Sequence, residues 1–258
     1  MRPRHRDGRH GRPQRRHDRA HPEAEVLTRR HGRVWLFDLD NTLHDASHAV
    51  FGELSPAMTD YIVRHVGLEE SAASALRTHY WRRYGVTMLG LVRHHGVDAS
   101  HFLEETHRLP GLEARLRMNG PDRAVLRHLP GRRYILTNAP RGYAMRVLRA
   151  LGMDHLFDGL VSIDEMSMFG SHRPKPDARM LRHLAAALKV PASRCILVED
   201  TLDHQRSARS IGMRTVWMTG YARRAARTAH ASSRWPMPAY VCARINRIQQ
   251  LRAIGVTV

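Results

Sequence analysis

Lysine and cysteine are scarce in this chain, and long hydrophobic runs are missing. No apolar stretch approaches the roughly 20 residues that a membrane-spanning helix needs, so no membrane span is expected. The first thirty residues hold almost no large apolar side chains, neither the h-region of a secretory signal nor material for a core. Their arginines are accompanied by acids and by no serine, which argues against a transit peptide. The two cysteines, Cys195 and Cys242, fall in no CxxC or Cys/His zinc spacing, so a reduced, cytoplasmic protein is expected. At 258 residues the chain can bury a real core, as one sizeable domain or as a domain carrying an inserted second one.

Acidic residues are also outnumbered at both ends of the chain, and absent from the carboxyl-terminal one. The formal charge is +18. Residues 1–33 carry eleven Arg against four acids, net +7, and residues 221–258 carry seven Arg and no acid, again +7. The middle, 34–220, is nearly balanced at +4. Basic arms can bind nucleic acid or an acidic surface. The first thirty residues lack the aromatic interleaving of single-strand binders, so a solvated tail is expected there instead. Arg outnumbers Lys forty to two, which makes each Lys worth examining. Lys189 closes an amphipathic helical stretch (Leu181, Leu184, Ala185, Leu188), where a cation suits the carboxyl end. Lys175 sits between two prolines in Arg173-Pro-Lys-Pro-Asp177 and has no helical role.

Apolar runs alternate with helical patterns through most of the chain. Strands are expected near Val34–Phe37, Tyr134–Leu136, Gly159–Ile163, Cys195–Val198, Thr215–Met218 and Ala239–Cys242, with a final helix over Ala243–Ile254. Residues 45–120 carry only helical patterns, such as Phe51–Val66, Ser71–Tyr84 and Ser100–Thr106, with breaks near Gly67, Gly85 and Gly96. The expected fold is therefore α/β, a Rossmann-like, doubly wound parallel sheet with an inserted helical cap. Residues 1–32 are read as a basic, disordered tail, 33–44 and 121–258 as the core, and 45–120 as the cap.

Three apolar runs end in polar residues: Asp38/Asp40, Thr137/Asn138 and Glu199/Asp200. Any one of them alone is compatible with a turn or a helix cap. Parallel neighbouring strands would bring all three to one sheet edge, where open α/β sheets bind ligands. Asp38 and Asp40, two residues apart in extended chain, would face one site and repel each other, a repulsion that a divalent cation relieves. With Lys175 between the second and third runs, the set is an inventory for phosphoryl transfer through an aspartyl-phosphate. Asp38 is the candidate nucleophile and Asp40 the acid and base. Thr137, Asn138 and Lys175 would bind the phosphoryl oxygens. Asp38, Asp200, Glu199 and a backbone carbonyl near Asp40 would hold Mg²⁺.

With these four ordered motifs, the chain resembles the haloacid dehalogenase-like hydrolase superfamily. Asp38-Leu-Asp-Asn-Thr42 matches its first motif, Thr137 the second, Lys175 the third and Glu199-Asp200 the fourth. The resemblance implies a Rossmann-like core with a helical cap, and the acid at Asp40 implies a phosphatase. Tyr84-Gly-Val-Thr-Met-Leu-Gly-Leu91, His94-His95-Gly96, Phe102, His107 and Gly212-Met-Arg-Thr-Val216 are similar to the pyrimidine 5′-nucleotidase branch. That branch implies UMP or CMP as substrate, with Tyr84, Thr87 and His107 as candidate contacts. Where the branch has Ser/Thr and a later Asn after the fourth motif, Thr201 is followed here by Asp203-His204, either of which could take the outer role. The alternatives are a phosphatase for phosphoglycolate or a sugar phosphate, and a basic nucleic-acid-binding protein on a hydrolase scaffold.

Overall fold

A computed structural model describes residues 32–117, 120–228 and 235–254. The tail expected at 1–32 therefore lies, but for Gly32, outside the described residues. Among the described residues no helix is long and apolar enough to cross a membrane.

Four consecutive apolar residues form β1 (Val34–Phe37), and all four are buried. Successive strand side chains point to opposite faces, so such a run suits a strand covered on both sides. Trp35 and Phe37 join the hydrophobic cluster on one face, and Val34 and Leu36 join the other. The sheet continues with β2 (Arg132–Leu136) and β3 (Gly159–Val161). An antiparallel pair, β4 (Ser167–Met168) and β5 (Ser171–His172), stands apart from it. The strands β6 (Cys195–Glu199), β7 (Arg214–Met218) and β8 (Ala243–Ile245) complete the main sheet. Its order is β3-β2-β1-β6-β7-β8, and every pairing is parallel. This is the doubly wound α/β order expected from the sequence, and its direction reverses at β1/β6, where such sheets bind ligands.

Among the described residues, six helices lie between β1 and Gly120: α1 (Ala46–Ala49), α2 (Phe51–Val66), α3 (Glu70–Tyr84), α4 (Thr87–His95), α5 (Ala99–Thr106) and α6 (Leu112–Arg115). Gly67, Gly85 and Gly96 end α2, α3 and α4 in the left-handed conformation, which glycine adopts without steric cost. Tyr61, Ile62, Tyr80, Met88, Leu91 and Phe102 form their own cluster. It closes tightly because Gly90 carries no side chain: a Cβ there would sit 2.1 Å from the Tyr80 ring.

The sheet is flanked by α7 (Gly120–His128) and α8 (Arg141–Ala150) on one face, and by α9 (Ala178–Ala187) and α10 (Leu202–Ser210) on the other. Two more helices, α11 (Gly220–Thr228) and α12 (Leu251–Ile254), follow β7 and β8. The carboxyl-terminal segment differs from the sequence expectation. The last strand is Ala243–Ile245, with a turn at Ala239–Tyr240, and only a 3₁₀ turn and a short helix follow it. Ile245, Ile248 and Leu251 recur every three residues, which imitates a helix. Each is buried, but from a strand, a 3₁₀ turn and a helix in succession. Similarly, the third strand stops at Val161, because Ser162 caps a 3₁₀ turn over Ile163–Glu165.

Candidate active site

Asp38 continues β1 at the carboxyl edge of the sheet, its N–H donating to the Val198 carbonyl at 3.0 Å. Leu39 turns fully inward and Asn41 adopts a left-handed φ of 56°, which Asn tolerates well. The turn is secured when Asn41 Oδ1 accepts from the Ser47 N–H at 2.9 Å. Asp38 and Asp40 are thus left beside one cavity of about 430 Å³ between the sheet edge and the helical insert. Thr137, Asn138, Lys175, Glu199 and Asp200 line the same cavity. The strand ends thus meet as their parallel order requires.

Lys175 is 1% exposed, and its ammonium donates to Asp38 Oδ1 and to Glu199 Oε2, both at 2.7 Å. Two hydrogen bonds place it: the Lys175 N–H donates to Asn138 Oδ1 at 3.0 Å, and Asn138 Nδ2 donates to the Lys175 carbonyl at 2.9 Å. The Asn138 side chain thus fixes the lysine loop while Asn138 lines the cavity beside Thr137. Thr137 Oγ1 accepts from the Ala139 N–H at 3.1 Å and keeps its own proton for a ligand.

The electrostatics separate the acids. Burial, the Glu199 carboxylate and Asp40 push Asp38 up to about 7, against the pull of Lys175. Burial, Glu199 and Asp38 raise Asp200 well above the usual carboxylate range. Glu199 goes the other way: burial opposes its charge, but Lys175 and His204 outweigh burial and hold it low. Lys175 is raised by its two carboxylate partners despite its burial. For Asp40, burial is likewise outweighed, by His44 Nε2 at 3.0 Å and by the Tyr143 hydroxyl, which donates at 2.6 Å. Both of these groups engage Oδ1 and hold Asp40 below the usual carboxylate range.

Ligand atoms of Asp38, Glu199 and Asp200 lie within 4.8 Å of one another. One ammonium faces these three carboxylates, and the excess charge is relieved by protons in the raised Asp38 and Asp200 or by a cation. An all-oxygen donor set of this kind fits Mg²⁺. Glu199 already spends Oε2 on Lys175 and accepts the Thr201 N–H at Oε1, 3.2 Å away, so Asp38 and Asp200 are the better-placed ligands. The Asp40 side chain stands outside this cluster. Of the two residues that sequence left open for the outer position, His204 is the one beside the cluster: its Nδ1 lies 3.1 Å from Glu199 Oε2, while Asp203 pairs with Arg206 in solvent.

Of the three candidate substrate contacts in the insert, Thr87 and His107 line the cavity and Tyr84 does not. Tyr84 borders a separate depression with Arg93 and Arg179, its hydroxyl 2.6 Å from His94 Nε2. The reason is helical phase. Arg77, Trp81 and Gly85, spaced four apart along α3 and just past its end, form the stripe that faces the cavity. Tyr80 and Tyr84 lie on the neighbouring stripe. The Thr87 hydroxyl already donates to the Arg77 carbonyl at 3.0 Å. His107 is pushed down to about 4 by burial, and its Nδ1–H donates to the Leu103 carbonyl at 2.9 Å, so a neutral ring presents Nε2. Sequence reading missed Tyr143 and His44 beside Asp40, and Trp81, Phe51 and Met58 in the wall. Tyr143 is 103 residues from Asp40 and had no local signal. His44, four residues after Asp40, was in plain view.

The comparisons with known proteins agree with this geometry. Phosphate metabolism protein 8 of Saccharomyces cerevisiae is 25% identical over 195 residues, 70% of this chain and 60% of that protein. A plasmid-borne phosphoglycolate phosphatase of Cupriavidus necator is 32% identical over 117 residues, 44% of this chain and 46% of that one. The matched stretches therefore span about half to three-fifths of these two relatives. The crystal structure of CbbY from Rhodobacter sphaeroides in complex with phosphate superposes with a TM-score of 0.58 at 19% identity, covering 88% of this chain and 99% of that one. A sequence model of haloacid dehalogenase-like hydrolases matches residues 33–212 and takes in all four motifs. The chain belongs to the haloacid dehalogenase-like hydrolase family.

Proposed function

We propose that this protein is a Mg²⁺-dependent phosphomonoesterase that works through an aspartyl-phosphate on Asp38, with pyrimidine nucleoside 5′-monophosphates as its substrates. The observation that carries the reading is the contrast between two acids at one strand end: Asp38 against Lys175 and the other carboxylates, Asp40 against His44 and Tyr143.

In this scheme Asp38, Asp200 and a backbone carbonyl near Asp40 hold the cation, which when bound supplies Lewis-acid polarisation of a phosphoryl oxygen. The Lys175 ammonium favours the ionised form of Asp38, as a bound cation would, and in that form an Asp38 oxygen attacks phosphorus while the bond to the leaving oxygen breaks. Asp40 gives its proton to that oxygen. It is charged in the free protein, and the arriving phosphate dianion favours its protonated form. Its Oδ1 stays with His44 and Tyr143, which aims Oδ2 at the substrate. Asp40 then takes a proton from the water that attacks the aspartyl-phosphate, releasing phosphate and restoring Asp38. Thr137 Oγ1 and Lys175 Nζ steady the phosphoryl oxygens throughout.

The cavity favours a nucleotide over a smaller ester. Its volume falls in the range of small-molecule sites, and Phe51, Met58 and Trp81 offer apolar area that a nucleobase and ribose could cover. Phosphoglycolate has little surface to match it. The alternative substrate class keeps one support, the resemblance to the Cupriavidus phosphoglycolate phosphatase. Phosphate release from UMP and CMP with Mg²⁺ should exceed that from phosphoglycolate and sugar phosphates. Reversed rates would discard the nucleotidase and keep the phosphatase; no release from any ester would discard both. A cytoplasmic location belongs to the same proposal and rests on two unpaired cysteines. The basic ends are proposed to be dispensable: deleting residues 1–30 should leave turnover unchanged, and lost activity or RNA affinity would restore the nucleic-acid reading.

A further inference from the structure

We propose that His65, His101 and Glu105 form a second cation site, for Zn²⁺, on the exposed side of α2 and α5. His65 lies in the last turn of α2, while His101 and Glu105 stand four apart on α5 and share one face. Both imidazole Nε2 atoms converge on a single oxygen, Glu105 Oε2, at 3.5 Å from His65 and 3.4 Å from His101, and the three ligand atoms lie within 4.8 Å of one another. A tetrahedron with metal–ligand bonds of about 2.05 Å has edges of about 3.3 Å, so an ion fits between these atoms with little rearrangement. Two imidazoles and one carboxylate, with a fourth position for water, favour Zn²⁺ over Mg²⁺. The all-oxygen cluster at Asp38 has the opposite preference.

The ligands are also pre-arranged. Tyr61, 2% exposed, reaches both histidines: its ring stacks on His65 with centroids 4.2 Å apart, and its hydroxyl lies 2.8 Å from His101 Nδ1. With an ion bound, His101 Nδ1–H donates to the Tyr61 oxygen, the outer bond that orients metal-bound imidazoles. Arg64 holds the other Glu105 oxygen at 2.6 Å and keeps the carboxylate ionised. The same Arg64 Nη1 is 3.3 Å from His65 Nε2 and must turn away from that nitrogen when an ion binds, while Arg64 Nε stays on Asp60, 3.0 Å away. The same two helices present Leu54, Met58, Phe102 and Leu103 to the active-site cavity. An ion here would staple two walls of that cavity from outside.

The test is a Zn²⁺ titration of the full chain by calorimetry in saturating Mg²⁺, which occupies the carboxylate cluster, alongside Co²⁺ absorption spectra. Wild type should bind one Zn²⁺ more than the H65A/H101A double variant and show a tetrahedral Co²⁺ band that the variant lacks. Histidines elsewhere bind equally in both proteins and cancel. Glu105→Gln should weaken that one equivalent at least tenfold, and it serves as the probe if the double variant fails to fold. Equal stoichiometry and equal Co²⁺ spectra in folded variants would overturn the site.

Discussion

The two sides of the active-site cavity are built on different physics. The sheet edge is a dense knot of charge: Asp38, Lys175 and Glu199 are almost fully buried and joined by 2.7 Å hydrogen bonds, and the lysine loop is clamped by Asn138. The wall supplied by the insert is mostly apolar, held by packing such as Gly90 against Tyr80, with Ser55, Arg77, Thr87 and His107 as its polar groups. Charges buried together tolerate almost no change, because removing one leaves another uncompensated. An apolar wall tolerates exchange of shape for shape. One side is thus suited to fixed chemistry and the other to substrate choice.

That contrast can be broken most sharply at Asp38. Asp38→Asn should lower turnover by about 10³-fold or more while circular dichroism stays unchanged, since the nucleophile is lost but its volume is not. Retained turnover would remove the nucleophile from this residue. Lys175→Ala should cost about 3–5 kcal/mol in urea denaturation, because it leaves Asp38 and Glu199 facing each other without their cation. A loss below about 1 kcal/mol would mean that protons or ions already neutralise the pair.

The sheet edge should also answer to pH. Asp38 is raised to about 7, above an unfolded carboxyl. Its stabilising, protonated form is fully present below the unfolded range and is lost as the pH rises through about 7. Metal-free protein should lose stability across that interval, and Mg²⁺ should offset the loss. Conversely, Mg²⁺ affinity should fall as the pH drops through about 7, by up to tenfold per unit for each proton displaced. Affinity independent of pH would separate the cation from Asp38.

Effects in the insert should be smaller and of another kind. Gly90→Ala pushes a methyl group into the Tyr80 ring and should cost about 1–3 kcal/mol of stability, read as a lowered denaturation midpoint. His107→Gln should raise the KM for UMP about three- to tenfold, the worth of one hydrogen bond, with kcat little changed. Tyr84→Phe should change neither, because Tyr84 faces another depression. A Tyr84 effect equal to that of His107 would mean that the two stripes of α3 had been assigned the wrong way round.

Much of the sheet edge was legible because it is written in contiguous residues. Each apolar strand runs straight into its polar terminus, and strand alternation and parallel order are short-range rules. Lys175 stood out only because arginine replaces lysine almost everywhere else in the chain. The partners of Asp40 were not legible, since Tyr143 reaches it across the fold. The insert wall was harder still: whether position 81 or 84 of one helix meets the substrate depends on how that helix is rotated against its neighbours. Three-residue spacing likewise hid the β8 strand, because Ile245, Ile248 and Leu251 satisfy the same core from three kinds of backbone.

By itself, the sequence determined the alternation of strands and helices, the place of the helical insert and the residues gathered at the strand ends, for these follow from local periodicity and chain order. Only the tertiary structure decided which acid is raised and which is held ionised, which face of α3 lines the cavity, and that two histidines and a glutamate converge at one point on α2 and α5. Burial, helix rotation and through-space charge depend on groups far apart in the chain, and no local pattern records them.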